Sequence, residues 1–429
     1  MRIIDCTKAG YKPELEKIFN RPANPPEIDI AVREILSEIE RDGDAALVKF
    51  AEKFDHVTLT PAQFRVADDE IAAAEAQVSD EWKHAINTAL AHVVSFSEQR
   101  IPKEWRYSPR PGVVLGERFV PMDRIGVYVP GGTAPLVSTV IHTAGIARTA
   151  GVSEIVAVTP ANREGKVHPA VLYAMKMAGV TEIYRLGGVY AVGALAYGTQ
   201  SIRKVEKIVG PGNAWVTAAK KQVYGRVALD MVAGPSEIMI IADDSARPDF
   251  VAADMLSQAE HGSGFEQSVL VTTDPVLVDR VRCELNARQK RLSRSEAIEK
   301  VFANGVYFIL VRDLNEAAAV AGRYAPEHLE IMCANAEAVA DNITAAGAIF
   351  IGEWTPEPIG DFCAGPSHVL PTAGSGRYFS GLTVEGFFRR MSTLQYTREA
   401  VQPELDLVKA FAEMEGLDAH GMSGEVRRG

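Results

Sequence analysis

Cysteine is scarce in this 429-residue chain: Cys6, Cys283, Cys333 and Cys363 are the four, and no two form a CxxC. That spacing excludes a disulfide framework and a thiolate metal site, and it suits a reducing compartment. No stretch approaches the roughly 20 apolar residues that a membrane helix needs. The opening MRIIDCTKAG puts Asp5 and Lys8 where a secretory leader requires an apolar run. Basic excess is missing too. Lys and Arg number 45 against 56 Asp and Glu, a formal net charge of −11, whereas a nucleic-acid partner calls for the reverse. There is no GxGxxG fingerprint, no internal repeat and no low-complexity segment. What remains is a cytoplasmic, globular protein with no nucleic-acid or membrane partner, long enough for two or more domains.

The apolar residues that are present fall into two textures. Val32, Ile35, Leu36 and Ile39 recur at i, i+3, i+4, i+7, Gly43 interrupts, and Leu47, Val48, Ala51 and Phe54 resume the stripe. Residues 68–100 are again rich in helix formers, so the first hundred residues read as mainly helical. FNRPANPPE (19–27) reads as a linker and the residues before it as an arm. After Pro111 come short β-rich runs ended by glycine or polar turns: RIGVYV (124–129), EIVAVTP (154–160), EIYRL (182–186), KIV (207–209), EIMIIAD (237–243), VYFILV (306–311) and GAIFIG (347–352). Strands alternating with helices predict parallel, helix-covered sheets, and seven of them predict two α/β units. From about residue 377 no strand pattern is visible, and the chain closes on the helical run PELDLVKAFAEMEG.

Three glycine turns, PGG (130–132), GG (187–188) and GPGN (210–213), directly follow strands. Ligands of open α/β sheets sit beyond strand carboxyl ends, where glycine lets backbone N–H groups approach a phosphate. Four of nine histidines keep unusual company: His261 in SQAEHG, His328 in APEHLE, His368 in GPSHVLP and His420 in GLDAHG. VAADMLSQAEHG predicts a helix closed by Gly262. It places Gln258 and His261, three apart, on one face and Glu260 on another. In APEHLE the Glu327–His328 pair is adjacent. Pro326 suits a first helical turn, and a glutamate there is favoured by the helix dipole. The alternative is an acid–base site. Asp361, Ser367 and His368 lie in a Gly/Pro-rich loop after GAIFIG, and Asp361 could lend an oxygen to a zinc ion.

Taken together, YVPGG, IVGPGNAWVTAAK, DMVAGPSE, SQAEHG, YAPEHLE, GDFCAGPSHVLPT and EGLDAHG, in this order from residue 128 to 420, resemble the histidinol dehydrogenase family. The resemblance spans essentially the whole chain. It implies two Rossmann-like parallel-sheet units with a helical N-terminal part and an extended C-terminal tail. It implies an arm (1–23), a larger α/β domain (24–127 with 238–376), an NAD-binding domain (128–237) and a tail (377–429) exchanged within a homodimer. It implies zinc held by Gln258, His261, Asp361 and His420, the last from the partner. The acid–base pair would be Glu327 and His328. Substrate would meet Ser236, Gln258, His261, His328, Asp361, Glu415 and His420. NAD would meet Tyr128, Tyr190 and Asn213. The implied reaction is oxidation of L-histidinol to L-histidine through the aldehyde with two NAD, closing histidine biosynthesis. Three features depart from the family pattern. Tyr190 stands in GGVYA where glutamine is usual, the segment 133–145 reads TAPLVSTVIHTAG and contains His142, and Val232 replaces a proline. Rivals are a relative acting on another small polar alcohol such as 2,3-dihydroxypropane-1-sulfonate, a zinc hydrolase, and a metal-stabilised non-catalytic dimer. No cysteine falls at a position the motifs mark as catalytic, so a thiohemiacetal route has no thiolate to use.

Overall fold

In the computed structural model, residues 1–21, 25–131 and 135–429 are described. The 23/24 arm boundary, Gly132 of PGG, and Thr133 and Ala134 of the departing segment lie outside the described residues.

Two parallel sheets form the body. One has five strands, ordered Glu182–Tyr184, Glu154–Val158, Arg124–Tyr128, Lys207–Val209, Ala228–Leu229. In chain order that is 3-2-1-4-5, the doubly wound arrangement, with its switch point between Arg124–Tyr128 and Lys207–Val209. The other sheet has six strands: Arg2–Asp5, Val306–Leu310, Gln267–Thr272, Glu237–Ala242, His328–Met332, Ala348–Ile351. From residue 237 onward its winding repeats the same order, and Arg2–Asp5 is added outside. Helices cover both faces, so the strands bury continuous apolar runs instead of alternating. Every residue of Glu237–Ala242, Gln267–Thr272 and His328–Met332 is buried. The two α/β units read from the sequence are therefore present.

Several expectations need correction. Residues 328–332 are a strand, not the start of a helix. The preceding helix Leu314–Tyr324 ends on Ala325 in the left-handed region (φ 49), and the chain enters the sheet three residues later. The tail contains a nine-residue strand, Phe388–Tyr396, paired antiparallel with Val113–Pro121. It shows no apolar alternation because most of its residues face solvent. The arm is no separate body, since Arg2–Asp5 pairs in the sheet. Residues 24–127, expected to join 238–376, pack instead on the five-stranded sheet. The stripe Val32, Ile35, Leu36, Ile39 shares a core with Val156, Val158 and Leu195. On the other face Ile86, Ala89, Leu90 and Val93 pack with Ile125, Val127 and Ile155.

The two sheets meet across a cleft of about 680 Å³. Carboxyl-end loops of the five-stranded sheet (Pro130, Pro211–Asn213) form one wall. Amino-end residues of the six-stranded sheet (Ser236, Glu327, His328) form the other.

Candidate functional site

The six-stranded wall carries the chemistry. Helix Pro248–Ala259 runs antiparallel to the strand before it and so returns its C-terminal turn to the amino ends of the strands. Gln258 is fully buried in that turn, and Gly262 closes it with φ 72. His328 opens its strand at the same edge. Its Nδ1 lies 3.1 Å from Gln258 Oε1 and 3.2 Å from the Glu237 carbonyl. Both are acceptors, so Nδ1 carries the proton and Nε2 is directed at Asp361, 3.5 Å from Oδ1. Asp361 sits on the short helix Glu357–Phe362. One ligand atom each from His261, Glu357 and Asp361 lie within 4.8 Å of one another. Glu327 completes the group: its Oε2 accepts the Glu237 N–H at 2.9 Å and stands 3.9 Å from His328 Nδ1.

Electrostatics follow from burial. Desolvation pushes the Glu327 carboxyl up to about 8, against the opposing pull of His328 and the Glu237 N–H. Burial lowers the basicity of His328, but Glu327 and Asp361 outweigh it and lift it to about 10. Burial would raise Asp361, yet hydrogen bonding and the charge of His328 hold it well below the usual range. Glu357 is pushed to about 8 by burial and by Asp361 beside it. Its Oε2 accepts the Ser257 hydroxyl at 2.8 Å, and its backbone N–H meets Glu330 Oε1 at 2.7 Å. Behind it, Asp254 is raised to about 6 and Glu330 well above its ordinary value, both chiefly by burial.

So many buried carboxylates require protons or a cation. Lining the cleft are Glu260, Glu266, Glu327, Glu357 and Asp361, with Arg294 the sole Lys or Arg among the described lining residues. The Gln258 Nε2 and Glu330 Oε2 atoms are buried without a partner. A histidine nitrogen with carboxylate and amide oxygens is a donor set that zinc accepts, and the excess negative charge favours a divalent ion.

Of the residues expected in a site, Gln258, His261, His328, Glu327 and Asp361 are brought together. Ser236 and Asn213 line the same cleft. Asn213 also caps the helix Ala214–Val223 through bonds from the N–H groups of Trp215 and Val216, both 3.1 Å. Gly210 (φ 114) lies so close to the Tyr128 carbonyl that a Cβ would stand 2.2 Å away. Tyr128 and Tyr190 do not face the cleft. Tyr128 is buried with its hydroxyl accepting the Gly188 N–H at 3.1 Å, and Tyr190 is fully buried, donating to Asp55. Glu415 and His420 are exposed on the tail and line a separate groove with Phe411 and Leu417.

Sequence reasoning missed Asp254, Glu330 and Glu357. Spacing could have found them. Asp254 is four residues before Gln258, Glu357 four before Asp361, and Glu330 two after His328, so each shares a face with an expected site residue. Arg21, in the supposed linker, was also missed. Its Nε meets buried Glu237 at 2.6 Å and its guanidinium lies 3.6 Å over the Tyr324 ring.

Known proteins share this sequence and fold. The sequence model of the family described as histidinol dehydrogenase matches residues 20–428. The chain is 44% identical over 429 residues to histidinol dehydrogenase 2 of Nostoc sp., covering 100% of this chain and 99% of that one. It is 43% identical to histidinol dehydrogenase of Synechococcus sp., covering 98% and 97%. The crystal structure of histidinol dehydrogenase from Elizabethkingia anophelis superposes with a TM-score of 0.93 at 36% identity, covering 100% and 98%. With matches of that length on both sequence and structure, the chain belongs to the histidinol dehydrogenase family.

Proposed function

We propose that this protein oxidises L-histidinol to L-histidine through L-histidinal, using zinc and two NAD in succession. The observation that carries the reading is one cleft with two dissimilar walls. Gln258, His261, His328 and Asp361 converge on one, and the glycine loop of a doubly wound sheet forms the other. Gln258, His261 and Asp361 would hold the zinc, which when bound supplies Lewis acidity and a fixed anchor for substrate nitrogen.

The chain's own residues do the rest. A dinucleotide laid across Gly210–Asn213 meets backbone N–H groups and the N-terminus of Ala214–Val223. The acidic lining attracts a cationic amino alcohol and repels a sulfonate, which favours histidinol over dihydroxypropanesulfonate. His328, with Nδ1–H tied to Gln258 and the Glu237 carbonyl, would take the hydroxyl proton on Nε2 as hydride departs once zinc takes up the charge of Asp361, which otherwise helps lift the basicity of the ring. Glu327, raised by burial, is suited to take a proton from water attacking the aldehyde. A hydrolase would leave the glycine-loop wall without a role.

Glu415 and His420 lie out of reach of their own cleft, on a tail with Phe411, Met414 and Met422 exposed. That supports a homodimer in which the partner's tail completes each site. Purified protein supplied with L-histidinol and NAD should form two NADH per substrate, with activity lost to a chelator and restored by zinc. Absence of turnover overturns the reading. Mixing inactive His261→Ala and His420→Ala chains should restore activity, because a mixed dimer has one intact site. No recovery from mixed dimers refutes tail exchange.

A further inference from the structure

One pair of buried side chains next to the site has no part in the reaction so far. His368 lines the cleft, and its Nδ1 lies 3.0 Å from the Asp361 carbonyl oxygen. A carbonyl only accepts, so Nδ1 bears the proton and a neutral ring leaves a lone pair on Nε2. That Nε2 is buried and has no partner. A buried acceptor left unmet is costly, so a donor is called for at this atom.

The ring is also held in place. His142 is fully buried and stacks on His368, with centroids 4.6 Å apart and planes at 20°. His142 lies in a single π-helical turn, Ile141–Gly145, and its carbonyl accepts the Ser367 hydroxyl at 3.0 Å. Residue 367 is thus tied to the backbone of 142 while ring 368 rests on ring 142. Neither His142 nitrogen has a well-aligned bond, and burial holds the ring neutral, its basicity pushed down to about 3.

We propose that His368 is a further substrate-contacting residue, its Nε2 accepting a hydrogen bond from an N–H or O–H of the bound amino alcohol, and that His142 is its positioning residue. The proposal rests on the reading of the cleft as an amino-alcohol site. It gives His142, in the segment that departs from the family pattern, the role of fixing the plane of an acceptor selective for substrates rich in donors.

The test uses the zinc-loaded, full-length enzyme. Nitrogen NMR on histidine-labelled protein should find His368 protonated on Nδ1, and its Nε2 resonance should move when L-histidinol is added without NAD. His368→Asn keeps a donor to the Asp361 carbonyl but loses the distal acceptor. It should raise KM for L-histidinol about tenfold, the worth of one such bond, with kcat little changed and zinc retained. His368→Gln, which restores an acceptor near the Nε2 position, should recover part of the loss. His142→Met should raise KM by about threefold and broaden the His368 signal. An Nε2-protonated His368, an unchanged KM in His368→Asn, or loss of zinc from that variant overturns the proposal. Wild-type protein that ignores L-histidinol sinks the substrate reading alone, and the tautomer still decides this one.

Discussion

Replacing Lys220 by methionine isolates what holds the glycine loop against the switch point. Lys220 is buried, with Nζ 2.5 Å from Asp230 Oδ1 and 2.8 Å from the Gly210 carbonyl. Asp230 in turn accepts the N–H of Gly210 at 2.7 Å and of Met231 at 2.6 Å. One ion pair therefore grips both polar atoms of the Gly210 residue. Methionine fills the volume but leaves a fully buried carboxylate without its cation. Breaking such a pair costs about 3–5 kcal/mol, which corresponds to a fall of roughly 3–6 °C in the unfolding midpoint of a chain this long. Adding Asp230→Asn removes the stranded charge while the amide oxygen still accepts from Gly210. The double variant should therefore be more stable than Lys220→Met by about 2 kcal/mol, an opposite sign from additive losses. Calorimetry on the four proteins gives the stability cycle, and initial rates give KM for NAD. That KM should rise several-fold in Lys220→Met, since Gly210–Asn213 loses its anchor. A double variant less stable than both singles, or an unchanged KM in a clearly destabilised Lys220→Met, refutes the reasoning.

Arg21→Met should lower stability by about 3 kcal/mol, because it strands Glu237 under the site. It should also raise KM for substrate through Ser236 and the Glu237 carbonyl, read by urea titration and initial rates. Glu327→Gln keeps an acceptor for the Glu237 N–H. Aldehyde oxidation should fall about 10²–10⁴-fold with zinc content unchanged, and metal loss would reassign the residue. In the wild type, the same step should quicken as pH rises towards about 8, where the buried carboxyl ionises, and then level off. Glu182 is bonded bidentately to buried Arg124 at 2.8 Å and is lowered from 4.5 to about 2, first by that hydrogen bond. Its contribution is full above pH 4.5 and fades as pH falls towards 2. Glu182→Gln should thus cost about 1–2 kcal/mol at pH 7, discounted for partial exposure, and little near pH 2. Equal losses at both pH values would contradict this.

Strands were legible where burial makes the sequence uniformly apolar, as in EIMIIAD and VYFILV, and helices where one face alone is buried, as in Val32 to Ile39. His328–Met332 was not, because Pro326 and Glu327 mimic a helix start while tertiary pairing decides the strand. Phe388–Tyr396 was not, because a ribbon open to solvent imposes no alternation. Gln258 and His261 were legible as a face, since three-residue spacing survives folding. Asp254, Glu330 and Glu357 were not, because their meaning comes from three separate elements meeting at one strand edge. Tyr190 illustrates the converse: position in a motif suggested a cofactor contact, but the aromatic ring turns into the core and bonds Asp55.

The tail has a consequence for the order of events in the cell. Its helices rest on one another and are joined to the body through the ribbon of Phe388–Tyr396 on Val113–Pro121. On the exchanged-tail reading, a newly finished chain holds a formed cleft but no complete site until it meets a second chain. Recovery of activity after dilution from denaturant should then lag behind recovery of secondary structure, and its half-time should shorten as protein concentration rises. Each molecule would spend its youth as an inactive solitary, and abundance itself would set the moment of activation.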